Sequence, residues 1–234
     1  MIPDKGYSVV VVAGGQGLRA GGTLPKQFQR IAGEPMLMHT LRAFYAYDYR
    51  MRIVLVIPEG YRPLWKTLCD EYRFTVPHTV VHGGDTRFHS VKNGLREISD
   101  EETVGIHDGA RPFVTPTLIG RCFDASFEQG VGVIPVVDET NSVRVLTETG
   151  SRMVDRTRLK IVQTPQVFPA AVLKRAYEVE YDPAFTDDAS VVERSGMTVR
   201  LVEGEETNVK ITTSFDLAVA EYRLAALRNQ YLEK

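Results

Sequence analysis

Cysteine is scarce: the 234 residues hold only Cys69 and Cys122, far apart in the chain. That excludes a disulfide framework and any Cys-x-x-Cys metal clasp, and the two read as buried free thiols. Long apolar runs are missing. No stretch approaches the roughly 20 residues that a bilayer crossing requires. The opening segment, Met1 to Tyr7, is too short and polar for a secretory leader. A cytoplasmic protein without a membrane partner is expected. Charge of one sign is also missing. A net charge of −2 gives no electrostatic reason to expect nucleic acid as a partner, whereas a small anionic metabolite needs only local cations. Repeats and low-complexity linkers are absent, so one domain over residues 1–234 is expected. The five histidines are scattered; His78 and His82 lie four apart, with no carboxylate to complete a zinc set.

What is present reads as an ordinary globular chain, 43% hydrophobic and 25% charged. Strand-like runs fall at 8–13, 52–57, 79–81, 103–106, 131–137 and 198–202, and helical patterns between them at 35–47, 61–73, 87–98 and 116–129. The last helix, about Ser214 to Tyr231, carries Leu217, Ala220, Leu224 and Leu227 on one stripe, a packing face. Alternating strands and helices predict an α/β fold with a mostly parallel sheet. Residues 138–163 break the alternation: two β-like runs flank Thr149-Gly150, which predicts a projecting hairpin. Such a hairpin cannot bury both of its faces alone, so it either packs on a second copy of the chain or is a solvated loop.

The strongest local signal is the first turn. The β-branched run Val9 to Val12 empties into a loop with Gly14, Gly15, Gly17, Gly21 and Gly22, followed by the cations Arg19 and Lys26. Glycines let backbone N–H groups approach an anion without Cβ obstruction. A strand, a glycine loop and two cations point to phosphate, and to a nucleoside triphosphate. The loop is not Gly-x-x-x-x-Gly-Lys-Ser/Thr. A dinucleotide fingerprint would need an acid at the end of the next strand, but Glu34 lies in a Gly-Glu-Pro turn.

Other clusters are chemically consistent with that anion site. Gly83-Gly84-Asp85-Thr86-Arg87 leads into a helix bearing Ser90 and suits the edge of a base; the alternative is a tight turn with Asp85 as helix cap. Asp108, at a strand's carboxyl end, suits a magnesium ion or a sugar hydroxyl, and Arg111 a phosphate; the alternative is an Asp–Arg ion pair. Arg156 and Thr164 offer a guanidinium fork and a hydroxyl for a phosphate monoester. Thr186-Asp187-Asp188-Ala189-Ser190 is a capping pattern with spare acidity, and Lys210 lies on a short strand-like run. No Ser–His–Asp arrangement or reactive cysteine stands out. Phosphoryl and nucleotidyl transfer need neither, because positioning and charge neutralisation do the work.

Eight stretches, in order over nearly the whole chain, resemble the 2-C-methyl-D-erythritol 4-phosphate cytidylyltransferase family of isoprenoid biosynthesis. They are Ala13-Gly14-Gly15-Gln16-Gly17-Leu18-Arg19, Pro25-Lys26-Gln27-Phe28, Gly83 to Arg87, Asp108-Gly109-Ala110-Arg111-Pro112, Val154-Asp155-Arg156, Gln163-Thr164-Pro165-Gln166, Thr186 to Ser190 and Asn208-Val209-Lys210-Ile211-Thr212. The resemblance implies a Rossmann-like nucleotidyltransferase sheet and a homodimer joined by the hairpin arm. It implies CTP and a polyol phosphate as substrates, with Mg2+. Arg19, Lys26 and Lys210 would stabilise the α-phosphate; Ala13, Gly14, Gly15, Gly84, Asp85 and Ser90 would hold the nucleotide. Asp108 and Arg111 would meet sugar or acceptor hydroxyls, with Asp108 near the metal. Thr140, Arg156 and Thr164 would bind the acceptor phosphate, Thr140 and Arg156 reaching in from the partner subunit.

The chain departs from the family pattern at Ala13-Gly14-Gly15, at Ala20, and around Asp138-Glu139-Thr140-Asn141, where an extra residue makes Ser142 an alternative to Thr140. None of these departures removes a cation that the chemistry needs. The sister family acting on ribitol 5-phosphate is the nearest rival, and its loop also starts Ala-Gly-Gly; Val154-Asp155-Arg156 favours the methylerythritol acceptor. A non-catalytic nucleotide sensor on the same fold is a further alternative, opposed by the retention of Arg19, Lys26 and Lys210.

Overall fold

The structure is a computed structural model that describes residues 6–14 and 25–232, with side chains to residue 226. Gly15, Gly17, Arg19, Gly21 and Gly22 lie outside the described residues. The strands are β1 (Tyr7–Val12), β2 (Arg30–Ile31), β3 (Glu34–Pro35), β4 (Arg52–Ile57), β5 (Thr79–His82), β6 (Thr103–Asp108), β7 (Gly132–Asp138), β8 (Val143–Thr147), β9 (Gly150–Val154), β10 (Lys160–Val162), β11 (Gln166–Pro169) and β12 (Val199–Glu203). The helices are α1 (Met36–Tyr47), α2 (Arg62–Glu71), α3 (Arg87–Leu95), α4 (Pro116–Gln129), α5 (Ala170–Ala176), α6 (Asp188–Arg194) and α7 (Ser214–Leu232).

Eight strands form the central sheet, in the order β10-β7-β11-β6-β1-β4-β5, with β12 also paired to β7. β1, β4, β5, β6, β7 and β12 run one way, and β10 and β11 run against them. The sheet is therefore mostly parallel, as the alternation predicts. β1 shows why the strand forms. Val9 and Val11 face the core under α1 and α4, whereas Val10 faces the core under α3 and α5, and all three are buried. A strand covered on both faces reads as an uninterrupted β-branched run. α4 starts as its sequence suggests, with Thr115 accepting the Leu118 N–H and Pro116 in the first turn, and it stops at left-handed Gly130.

α7 buries Ala220 and seats Leu217 and Leu224 against a third apolar cluster around Ile31, Met36, Phe113 and Ile211, so this part of its stripe is a packing face; Leu227 lies outside the described side chains. β8 and β9 pair only with each other, giving the hairpin expected within 138–163. Leu146 and Met153 are diagonal neighbours on one hairpin face, and both are exposed. Both thiols are unpaired, and burial raises them to about 11 for Cys69 and about 12 for Cys122. Among the described residues, no helix is long and apolar enough to cross a membrane.

The topology gathers the predicted site. Val12, the last residue of β1, pairs with Asp108, the last of β6, and Ile57 pairs with His82. Ala13-Gly14, Asp108 and the Gly83-Gly84 turn thus leave the sheet together at its carboxyl edge, where ligands of open α/β sheets sit.

Candidate active site

A cleft of about 520 Å³ opens at that edge, and its lining includes Ala13, Gly14, Lys26, Gly84, Arg87 and Lys210, together with Asp85, Ser90 and Asp108. Of the residues predicted for the nucleotide and the reacting phosphate, every one that is described lines this cleft. Gly15 and Arg19 lie outside the described residues. Lys26 opens a short 3-10 turn that its neighbours anchor. The Gln27 amide donates to the Ala13 carbonyl at 2.7 Å, and the Phe28 ring stacks on Tyr61 and contacts Trp65.

Two glycines are required by close approach. A Cβ on Gly84 would lie 2.4 Å from the His89 Cβ, and one on Gly14 would lie 2.9 Å from the Ser90 Oγ. Ser90 is buried, and its Oγ accepts the Gly84 N–H at 3.1 Å, so it holds the turn that faces the cleft. The cap of α3 is Thr86, whose hydroxyl accepts the His89 N–H, and not Asp85. Asp85 is left exposed at the cleft.

Asp108 is the electrostatic centre. Lys210 Nζ lies 2.9 Å from its Oδ2, Arg111 Nε 3.4 Å from the same oxygen, and Arg87 Nε 3.6 Å from its Oδ1. Burial alone would raise its pKa, but Arg87, Lys210 and Arg111 outweigh burial and hold the carboxyl far below the usual carboxylate range. Arg87 also binds the fully buried Asp188, through Nη1 at 3.0 Å and Nη2 at 2.6 Å. Burial opposes the Arg87 charge, yet Asp188 and Asp108 more than restore it. Lys26, Arg87, Arg111 and Lys210 stand against Asp85, Asp108 and Asp188, which leaves a positive excess suited to a polyanion.

Two of the predicted contact residues also have partners inside the protein. Arg111 does not line the cleft; it is buried, and its Nη1 donates to the Asn208 carbonyl at 2.7 Å while Nε faces Asp108. It ties β6 to the segment carrying Lys210, and it forms an ion pair with Asp108. Thr164 is also buried. Its Oγ1 accepts the Asp108 N–H at 3.1 Å and lies 3.0 Å from His107 Nδ1. His107 Nε2 faces the Arg111 carbonyl, which only accepts, so Nε2 carries the proton and Nδ1 takes that of Thr164. Burial lowers His107 to about 4 and keeps it neutral.

Arg156 and Thr140 meet each other, with Arg156 Nη1 donating to the Thr140 carbonyl at 2.6 Å. Neither lines the cleft of its own chain. A larger, more apolar cavity of about 680 Å³ lies between α2 and β5, lined by Trp65, Cys69 and His78; it holds neither the glycine turns nor the cations around Asp108.

The cleft also suits a divalent cation arriving with a nucleotide. Among the described residues no group of three His, Cys, Asp or Glu stands ready as a metal cage. Magnesium, however, commonly takes one or two carboxylates plus substrate phosphates. Asp108 offers such a carboxylate at the cleft.

The family model of 2-C-methyl-D-erythritol 4-phosphate cytidylyltransferase matches residues 7–226. The chain belongs to this family. A relative of that name from Bacteroides thetaiotaomicron is 55% identical over 212 residues, covering 91% of this chain and 96% of the relative. One from Porphyromonas gingivalis strain W83 is 44% identical over 224 residues, covering 95% and 99%. Among solved structures, the 4-diphosphocytidyl-2C-methyl-D-erythritol synthase of Anaerococcus prevotii superposes with a TM-score of 0.79 at 26% identity, covering 94% of this chain and 99% of that one. The 2-C-methyl-D-erythritol 4-phosphate cytidylyltransferase of Thermus thermophilus superposes at 0.73 with 30% identity, covering 93% and 98%. As a methylerythritol phosphate cytidylyltransferase by family, the chain is a nucleotidyltransferase of isoprenoid biosynthesis. Sequence reasoning gave no role to Arg87 and only spare acidity to Asp188. The signal was there, since an arginine sits directly behind the Gly83-Gly84-Asp85-Thr86 turn, and a second acid follows the Asp187 that caps α6.

Proposed function

We propose that this cleft joins CTP to 2-C-methyl-D-erythritol 4-phosphate and releases pyrophosphate, with the following division of labour. Backbone at Ala13, Gly14 and Gly15, the Gly84-Asp85 turn and Ser90 hold cytidine and the triphosphate. The acceptor's phosphate oxygen is already an anion, so it attacks the α-phosphorus in line without a general base, and pyrophosphate departs on the opposite side. Lys26, Lys210 and Arg19 neutralise the charge that gathers on the α-phosphate. Asp108 accepts from an acceptor hydroxyl. It would also hold Mg2+, which supplies further neutralisation of the triphosphate when bound. Arg111 meets sugar or acceptor hydroxyls and Thr164 the acceptor phosphate, and Thr140 and Arg156 receive the acceptor phosphate of a partner subunit's site in a homodimer. Both substrates are small soluble phosphates, which suits a cytoplasmic enzyme.

The observation that supports this reading most is the meeting of Lys26 and Lys210, 184 positions apart by their numbering, at one glycine-lined cleft. Pyrophosphate release with CTP and each of two acceptors tests it. Turnover is expected with methylerythritol phosphate and much less with ribitol 5-phosphate. The reverse preference would move the chain to the ribitol branch, and CTP binding without pyrophosphate release from either would make it a sensor.

A further inference from the structure

Asp188 does not itself line the cleft. It is fully buried at the first turn of α6, and every contact of its carboxylate is internal. Arg87 donates to both of its oxygens, and the Tyr177 hydroxyl donates to Oδ1 at 2.6 Å. Its backbone is pinned as well: the N–H groups of Asp188 and Ala189 both donate to the Gln166 Oε1 at 2.9 Å. A buried ion pair is a poor way to stabilise a fold, because apolar side chains of equal volume do as well or better. The pair has a geometric consequence instead. With two nitrogens committed to Asp188, Arg87 presents only Nε to Asp108, at 3.6 Å, outside hydrogen-bond range. Lys210 and Arg111 already hold the other Asp108 oxygen.

We propose that Asp188 is a positioning residue that holds Arg87 back from Asp108, leaving Asp108 Oδ1 open to accept a hydroxyl of the acceptor. This rests on the reading that Asp108 meets the acceptor, and it makes Asp188 a determinant of acceptor binding from outside the cleft. Without the negative charge at Asp188, the guanidinium has one strong partner left and closes on Asp108. The acceptor hydroxyl then competes with an arginine for the same oxygen. A hydrogen bond to a charged group contributes about 1.5–3 kcal/mol, so its loss corresponds to about tenfold or more in binding.

The test is steady-state pyrophosphate release by the full-length chain, varying each substrate in turn, with thermal unfolding alongside to correct for folded fraction. Asp188→Asn keeps the shape and removes the charge. The acceptor KM is expected to rise about tenfold or more, with the KM for CTP and kcat each within about threefold. Adding Arg87→Gln to that variant removes the competing cation and is expected to recover most of the acceptor KM. A structural role would instead lower all parameters together, and the double variant would be worse than the single. Tyr177→Phe removes one anchor of Asp188 and no buried charge; if Asp188→Asn does not fold, Tyr177→Phe is expected to show a smaller rise confined to the acceptor KM. Equal changes in both KM values, or an unchanged acceptor KM in a folded variant, overturn the proposal. Absence of turnover in the unsubstituted chain would overturn the functional reading instead, so the two failures are distinguishable.

Discussion

Lys26 and Lys210 reach the cleft from opposite ends of the chain, and Lys210 has an acid within hydrogen-bond range, Asp108 at 2.9 Å. Lys26→Ala is expected to lower kcat about 100-fold or more while leaving thermal unfolding unchanged, since removal of one preorganised group that stabilises transition-state charge costs about that much. A loss of only a few fold would make Lys26 a surface charge. Charge and glycine patterns made this much legible in the sequence. What they could not show was which polar groups also have partners inside the protein. Arg111 and Thr164 carry suitable chemistry, and tertiary contacts give both internal partners as well. The same buried network sets a pH dependence. His107 sits near 4 against about 6.5 when unfolded, so between those values the unfolded chain binds more protons and stability falls as pH falls. Burial lowers His78 as well, with the same sign. Denaturant unfolding is expected to lose about 3 kcal/mol from His107 between pH 6.5 and pH 4. His107→Gln should flatten that slope, and an already flat profile would refute the buried neutral imidazole.

At the scale of elements, β1, β4, β5, β6, β7 and β12 and the five longest helices are readable because each is either a β-branched run or a clear helical pattern. β10 and β11 are not. They are short, β11 ends in Pro169, and both run against their neighbours, so neither alternation nor a crossover helix announces them. Long-range pairing with β6 and β7 makes them strands, a signal no local window contains. The β5–α3 turn is the converse case, where a local signal is exact in meaning but only coordinates give its reason. The approach of the turn to the His89 backbone leaves no room for a methyl group at position 84. Gly84→Ala is therefore expected to destabilise the fold by about 1–3 kcal/mol and to weaken CTP binding at least tenfold in calorimetry. Gly60→Ala, where an added Cβ meets nothing within 4 Å, should change neither. Equal effects at the two positions would mean that the turn is not what holds the nucleotide.

For the molecule as a whole, the cleft accounts for the nucleotide half of the reaction better than for the acceptor half. The phosphate-binding candidates Thr140 and Arg156 sit together near the hairpin and outside their own chain's cleft. The hairpin exposes Leu146 and Met153 on one face, and an isolated two-stranded ribbon is marginal in water unless something covers it. The proposed homodimer, in which each arm covers the other subunit and carries Arg156 to its cleft, would answer both facts. Subunit mixing tests this without any need to see the interface. Lys26→Ala and Arg156→Ala chains should each turn over poorly alone. Refolded together in equal amounts, half of the dimers carry one subunit of each kind, and each such dimer has one site with an intact Lys26 and an intact Arg156 supplied by different chains. Recovered activity is then expected to reach about a quarter of that of the unsubstituted protein. If Arg156 served its own chain, every site in the mixture would lack one of the two groups, and no activity would return.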